Sequence, residues 1–275
     1  MQIYVNNMRL QVEDTGERDR PAVLLIAGMS MQLIVWPDAM LHATTDPAEL
    51  AKFDAIAHRF WDEQGEFRPL HILNPVRTAF VAERCQLAGA TVVDVGCGGG
   101  LLAESLARAG ARVTAIDLAP TMVDVARLHA TGAGLDIDYR LQSVEALADE
   151  REGSFDVVTC MEMLEHLPEP AGAVDALARL LRPGGSLFVS TINRNLRSFV
   201  VAIVGAEYVT RLVPAGTHEY ERLIRPSELA AWARGAGLEA QEIAGLEFNP
   251  VTSLCRLTAD PSVNYLLHLR KPAVP

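Results

Sequence analysis

The sequence predicts a doubly wound α/β domain with a mostly parallel sheet, an antiparallel edge and an extra β-rich segment at the N-terminus. Two observations carry this prediction. From residue 90 onward, apolar strand-like runs alternate with helical patterns, and parallel neighbours need such crossover helices because no tight turn can join them. The run Val92-Val93-Asp94-Val95 also feeds directly into Gly96-Cys97-Gly98-Gly99-Gly100, the kind of strand-to-helix turn where α/β folds receive ligands.

Taken in order, residues 1 to about 41 read as β-rich. Ile3 to Val5 and Met8 to Val12 flank Asn6-Asn7 as a hairpin, and Ala22 to Ala27 is a buried-strand run. Thr44-Thr45-Asp46-Pro47 supplies capping residues and a first-turn proline for a helix whose apolar face is Leu50, Phe53, Ile56, Ala57 and Phe60. The boundary falls there, giving an extension over 1–43 and a main domain over 44–275. Thr91 to Val95, Arg112 to Ile116, Phe155 to Cys160 and Ser186 to Thr191 are strands, and Leu101 to Ala109, Met122 to Thr131 and Ala171 to Leu181 are helices. A helix over Pro226 to Gly235 precedes strand-like pieces at Leu238 to Ile243 and Ser262 to Leu269, which are expected to form the antiparallel edge.

Composition narrows the class of function. The chain has 275 residues, 49% hydrophobic and 21% charged, enough for one well-filled core with extra segments. A net charge of -11 argues against nucleic acid as a partner, because nothing would neutralise a phosphate backbone. Cys85, Cys97, Cys160 and Cys255 form no C-x-x-C pair, so the residues signal neither zinc nor a disulfide framework, and a reducing cytoplasm suits them. The apolar run Val23 to Trp36 follows a mixed-charge segment rather than a basic one, which argues against a signal peptide.

The glycine loop places bare backbone where a ligand must come close. Asp117 ends the next strand, where its carboxylate can accept hydrogen bonds from both hydroxyls of a ribose. Gly98, Gly100 and Ala103 formally satisfy the dinucleotide pattern, but Asp94 would repel a pyrophosphate and attract a cation. The charge logic favours S-adenosylmethionine, which is cationic at sulfur and at its amino group, over NAD. Asp94, Gly96, Gly98 and Asp117 are therefore expected to bind it. Leu181-Arg182-Pro183-Gly184-Gly185 before a strand completes a resemblance to class I S-adenosylmethionine-dependent methyltransferases, which implies a seven-stranded sheet.

After the fourth strand comes Met161-Glu162-Met163-Leu164-Glu165-His166. If it is helical, Glu162, Glu165 and His166 share one face, and the set would suit Mg²⁺, which lowers the pKa of a phenol. The alternative is two solvated carboxylates and a histidine that closes a helix terminus. Met161 lies against an adenosine or simply fills core. His166 with Glu162 and Glu165 is the preferred candidate for the catalytic base, and His218 in Gly216-Thr217-His218-Glu219 is a second one, or a loop histidine bonded to backbone. Phe199 to Val213 is interrupted by Glu207 and Arg211 and falls short of the roughly 20 residues needed to span a bilayer. Within 198–214, edged by Arg194, Arg197 and Arg211, it fits an interfacial helix or a buried cover over the site, and the interfacial reading is preferred.

A closer resemblance covers about Asp46 to His268. Phe60-Trp61-Asp62, Pro69-Leu70-His71, Asn74-Pro75-Val76-Arg77, Asp156 to His166, Asn193-Arg194-Asn195, Gly216-Thr217-His218 and Val263-Asn264-Tyr265 look like the ubiquinone-biosynthesis O-methyltransferase family. The resemblance implies methylation of a phenolic hydroxyl on 2-polyprenyl-6-hydroxyphenol and on 3-demethylubiquinol. It also implies cofactor contacts at Arg77, Gly96, Asp117 and Met161, a cytoplasmic protein peripheral to the inner face of the membrane, and a complex with other proteins of ubiquinone biosynthesis. Arg77 can fork onto the cofactor's carboxylate. The first 45 or so residues depart from that family and resemble the opening of an α/β-hydrolase, but Gln32 stands where a nucleophile elbow needs its last glycine, so no hydrolase activity is expected. The segment fits a gene-fusion scar or a misassembled start. Two competing readings are an NAD-binding oxidoreductase and a protein that binds S-adenosylmethionine or docks on membranes without turnover.

Overall fold

The computed structural model describes residues 2–5, 8–11, 57–65, 67–198, 220–249 and 252–273. The strand expected at Ala22 to Ala27, most of the helix expected after Thr44, the insertion at 199–214 and His218 lie outside the described residues. The chain forms two compact units, Met1–Thr45 and Asp46–Pro275. In the first, β1 (Gln2–Val5) pairs antiparallel with β2 (Met8–Gln11), Val5 opposite Met8, as the sequence pattern implies.

The second unit is built on an eight-stranded sheet in the order β5-β4-β3-β6-β7-β10-β8-β9. Its parallel half comprises β3 (Thr91–Val95), β4 (Arg112–Asp117), β5 (Ile137–Leu141), β6 (Phe155–Met161) and β7 (Leu181–Ile192). β8 (Glu239–Asn249), β9 (Leu254–Thr258) and β10 (Asn264–Arg270) form the antiparallel edge. Strand β9 is one more than the seven expected. Leu254 is exposed and the strand lies at the rim, so it lacks the apolar run by which a sequence betrays a buried strand.

Helices cover both faces. α1 (Arg68–Ala82), α2 (Leu101–Arg108) and α3 (Pro120–Gly132) bury Phe80, Leu106 and Val123 on one side. α4 (Val144–Glu150), α5 (Pro170–Leu180) and α6 (Pro226–Gly235) bury Leu147, Leu177 and Leu229 on the other. α1 has no counterpart in the sequence reading because Pro75 sits inside it, where a proline normally ends a helix. α4 is announced by Ser143, whose hydroxyl accepts from the Ala146 amide at 3.2 Å. No helix among the described residues is long and apolar enough to cross a membrane.

The strand order places the site. After β5 the chain crosses to β6 on the far side of β3, so the connections diverge between β3 and β6 and open a crevice at their carboxyl ends. Asp94, Asp117, Met161 and Glu162 all lie at or beside that edge.

Candidate active site

The glycine loop is cradled by the protein's own atoms. Gly96 has φ 71°, and a Cβ there would stand 2.5 Å from Met163 Cγ, so both backbone conformation and space call for glycine. Gly99 lies under the Phe60 ring, which occupies the place a side chain would take. Trp61 Nε1 donates to the Gly99 carbonyl at 3.1 Å, and its ring stacks on His129 at 3.4 Å between centroids. His129 Nδ1 lies 2.6 Å from Glu104 Oε1, and Arg108 donates to the other oxygen of this fully buried carboxylate at 2.7 Å. In the sequence Phe60 stands out as the end of an apolar helix face and as part of a family string, and Trp61 only as part of that string. Glu104 gave one readable signal, a charge among Leu102, Ala103 and Leu106 on the buried face of α2.

Asp117 ends β4 and pins the loop: its Oδ2 accepts from the Gly98 amide at 2.8 Å and its Oδ1 from the Ala119 amide at 2.9 Å. Each carboxylate oxygen has a second lone pair for a further donor. Asp94, 3% exposed, accepts from the Thr159 hydroxyl at 2.7 Å. Burial raises its pKa to about 7, with the Asp117 charge adding to the rise, while the Thr159 bond and the Arg77 charge oppose it. A carboxylate held in this state gains from any cation brought near it.

Arg77, on α1, is 5% exposed, and its Nη2 lies 2.9 Å from Glu162 Oε1 as an ionic contact without hydrogen-bond alignment. Its Nε and Nη2 make no hydrogen bond. That edge is the fork with which Arg84 grips Glu242 at 2.8 and 2.7 Å elsewhere in this fold. A buried guanidinium whose fork is unspent suits a carboxylate ligand.

The segment after β6 corrects the expectation of a shared helical face. β6 runs through Met161, and Glu162 then adopts φ 53°, a left-handed conformation rare for a residue with a side chain. Only Leu164–His166 turn, as a single 3₁₀ turn. Glu162 is consequently directed to Arg77, to Ser190, whose hydroxyl donates at 2.7 Å, and to Asn264, whose amide donates at 3.3 Å. Glu165 is buried against Thr191, whose hydroxyl donates to it at 2.9 Å; burial, with the Glu162 charge adding, raises its pKa to about 7. His166 ends the turn, half-buried. Among the described residues no group of three His, Cys, Asp or Glu is arranged to hold a metal ion. The left-handed turn accounts for this: it directs Glu162 to two donors and the Arg77 cation, while Glu165 turns to Thr191. The Mg²⁺ expected of Glu162, Glu165 and His166 is therefore not supported by their arrangement.

Comparison with known proteins agrees with this geometry. A family model described as "Methyltransferase domain" matches residues 93–189, from β3 through most of β7. The ubiquinone biosynthesis O-methyltransferase of Xanthomonas euvesicatoria pv. vesicatoria is 57% identical over 225 residues, covering 82% of this chain and 94% of the relative. This chain belongs to the ubiquinone biosynthesis O-methyltransferase family. The same-named protein of Ralstonia nicotianae is 54% identical over 234 residues, covering 85% and 98%. Among solved structures, magnesium protoporphyrin IX methyltransferase from Synechocystis PCC 6803 with bound S-adenosylhomocysteine aligns with TM-score 0.60 at 21% identity, over 80% of this chain and 94% of that one. A putative methyltransferase from Bacillus halodurans aligns with TM-score 0.54 at 22% identity, over 71% and 99%. These two likenesses are of fold. Membership of the family makes the chain an S-adenosylmethionine-dependent O-methyltransferase, and the dinucleotide reading is not favoured.

Proposed function

We propose that this protein methylates a phenolic hydroxyl on a polyprenylated ring, acting both on 2-polyprenyl-6-hydroxyphenol and on 3-demethylubiquinol. The name its relatives carry supports the pathway. The observation that carries the site assignment is the unspent Nε/Nη2 fork of buried Arg77 beside a cluster of carboxylates. A planar guanidinium pairs with a carboxylate bidentately, and the methionine end of the cofactor offers one. Asp94 balances the cationic centres of the cofactor, Asp117 takes the ribose hydroxyls, Gly96 and Gly98 admit the cofactor to the backbone, and Met161 lies against the adenosine.

When bound, S-adenosylmethionine supplies an electrophilic methyl group on a positively charged sulfur. The protein's part is to hold the acceptor oxygen in line and take its proton, because a phenolate is a far better nucleophile than a phenol. His166 is assigned that role. Glu165, whose charge favours the protonated imidazole beside it, stabilises the product of the transfer. His218 is the alternative base.

A polyprenyl tail dissolves in the bilayer. The apolar insertion 198–214, with Arg194, Arg197 and Arg211 at its borders, is therefore assigned to the membrane interface on the inner face, where the protein would meet its substrate and a complex of biosynthetic proteins. Unchanged liposome association after deletion of residues 198–213 would sink that assignment. The test of the whole reading follows methyl transfer from labelled S-adenosylmethionine to a demethylubiquinol in detergent. Labelled quinol is the expected product. Its absence both from the full chain and from a chain lacking residues 1–43 overturns the proposal, whereas product from the shortened chain alone assigns the defect to the extension.

A further inference from the structure

Glu162 is held by several partners at the crevice, and its position in the fold explains little of that restraint. Three elements besides its own converge on it: Arg77 from α1, Ser190 from β7 and Asn264 from the start of β10. Its backbone stands at φ 53° while its amide donates to the Ser190 carbonyl at 2.9 Å, so a conformation costing on the order of 1 kcal/mol or more is held in place from the neighbouring strand. A carboxylate only accepts, so Asn264 must face it with Nδ2, and the two oxygens of Glu162 lie 3.3 and 3.5 Å from that nitrogen. Ser190 is fully buried and has little freedom to aim its hydroxyl elsewhere.

We infer that Ser190 and Asn264 are positioning residues for the cofactor's amino-acid end, acting through Glu162 on Arg77. Buried and cationic, Arg77 needs a counter-charge, and Glu162 supplies it at 2.9 Å from Nη2 without taking a hydrogen bond. The two donors fix where that counter-charge sits. The guanidinium is thereby drawn to one orientation, and its Nε/Nη2 fork stays available for the carboxylate of a ligand. Without them the Glu162 carboxylate is free to rotate into a bidentate grip on the same fork, as Glu242 does on Arg84. The fork would then be consumed internally. Asn264 and Ser190 thus keep an internal anion from replacing the ligand's. The inference rests on the assignment of Arg77 to the cofactor's carboxylate.

The test uses two ligands that differ at that end. S-adenosylhomocysteine carries the amino-acid group, and 5′-methylthioadenosine keeps the nucleoside and sulfur but lacks it. Dissociation constants are measured by calorimetry for the full chain and for Asn264→Ala, Asn264→Gln, Asn264→Asp and Ser190→Ala. Loss of one hydrogen bond to a charged group predicts about tenfold weaker binding of S-adenosylhomocysteine for Asn264→Ala and Ser190→Ala. Binding of 5′-methylthioadenosine should change less than about twofold on the same scale. Asn264→Gln, which keeps the amide donor, should recover part of the loss, and Asn264→Asp, which sets a second anion beside Glu162, should be worse than Asn264→Ala. In steady state, KM for S-adenosylmethionine should rise more than kcat falls.

Equal weakening of both ligands would show a general deformation of the crevice and overturn the inference. Unchanged affinity for S-adenosylhomocysteine in both alanine variants would overturn it too. If Asn264→Ala fails to fold, Ser190→Ala, on the neighbouring strand β7, decides alone. A parent chain that binds 5′-methylthioadenosine as tightly as S-adenosylhomocysteine refutes the Arg77 assignment itself, which separates that failure from failure of the positioning role.

Discussion

Replacing Asp94 by Asn should make the cofactor-free protein more stable at alkaline pH and a poorer binder of S-adenosylmethionine. The carboxylate is 3% exposed and its pKa rises from the ordinary 3.8 to about 7, mainly through burial. At 1.36 kcal/mol per pH unit, that rise is roughly 4 kcal/mol of folding free energy lost to keeping the group ionised. For a carboxylate whose folded pKa is raised, the stability tied to its protonated form is fully present below the unfolded value. It is lost as pH climbs through about 7. At pH 8 the parent protein carries the whole penalty. Asparagine is neutral, matches the volume, and its carbonyl can still accept from the Thr159 hydroxyl. Its new NH₂ group finds no assured acceptor, which takes back about 1–3 kcal/mol and leaves a net gain of about 2 kcal/mol. In a unit running from Asp46 to Pro275, about 2 kcal/mol raises Tm by roughly 4–8 °C. At pH 5 most of the gain should vanish, because Asp94 is then protonated in the parent as well. The substitution also removes the negative charge that balances the cofactor's cationic centres, so affinity for S-adenosylmethionine should fall at least about tenfold. The fall should be smaller for S-adenosylhomocysteine, which lacks the sulfonium charge. Thermal melts of the apo protein from pH 5 to 8.5, paired with calorimetry on both ligands, test the reasoning. A variant that melts below the parent at pH 8 yet level with it at pH 5 would refute it.

Other outcomes follow from the same geometry. Affinity for S-adenosylmethionine should drop as pH falls through about 7, since Asp94 and Glu165 take up protons there, and binding near pH 7 should release protons to the buffer; a flat affinity between pH 6 and 8 contradicts this. His129→Ala should destabilise the fold by about 3 kcal/mol, because it strips one of two partners from the fully buried Glu104 and the stacking partner from Trp61, and urea unfolding reads it directly. Gly96→Ala should cost about 2 kcal/mol or more and weaken cofactor binding, through φ 71° and the clash with Met163; trimming Met163 to alanine should restore only the steric part. Stringent chelation should leave the dissociation constant for S-adenosylhomocysteine unchanged, because Glu162, Glu165 and His166 are not arranged around a cation; a chelator-dependent constant measured by calorimetry would oppose that reading.

What could be read from the sequence was whatever local pattern decides. β3 falls at Thr91–Val95 in both sequence and structure, because a buried parallel strand must be an unbroken apolar run that ends where glycine begins. Asp94 and Asp117 could be read for the same reason, as polar residues at the ends of apolar strands. What escaped depends on contacts distant in sequence. The run Met161 to His166 has helical spacing, but the pairing of β6 with β7 carries the strand through Met161, and the left-handed turn at Glu162 sends the two carboxylates to different partners. Ser190 and Asn264 look like ordinary strand residues until β7 and β10 are laid side by side, with Asn264 opposite Ile192. α1 was hidden by Pro75, whose missing donor a helix with a well-packed apolar face can tolerate.

Phe60 lying over Gly99 changes how mutations at those two positions combine. The missing side chain at 99 is room made for an aromatic ring from another part of the same chain, so the two positions share one volume. A methyl group added at 99 should be harmful beside phenylalanine and tolerable beside alanine or serine at 60, which gives a coupling term that neither single change reveals. Directed evolution of this scaffold would therefore meet the position as a pair, and a library that varies the glycine loop alone would discard variants that need only a smaller neighbour to survive.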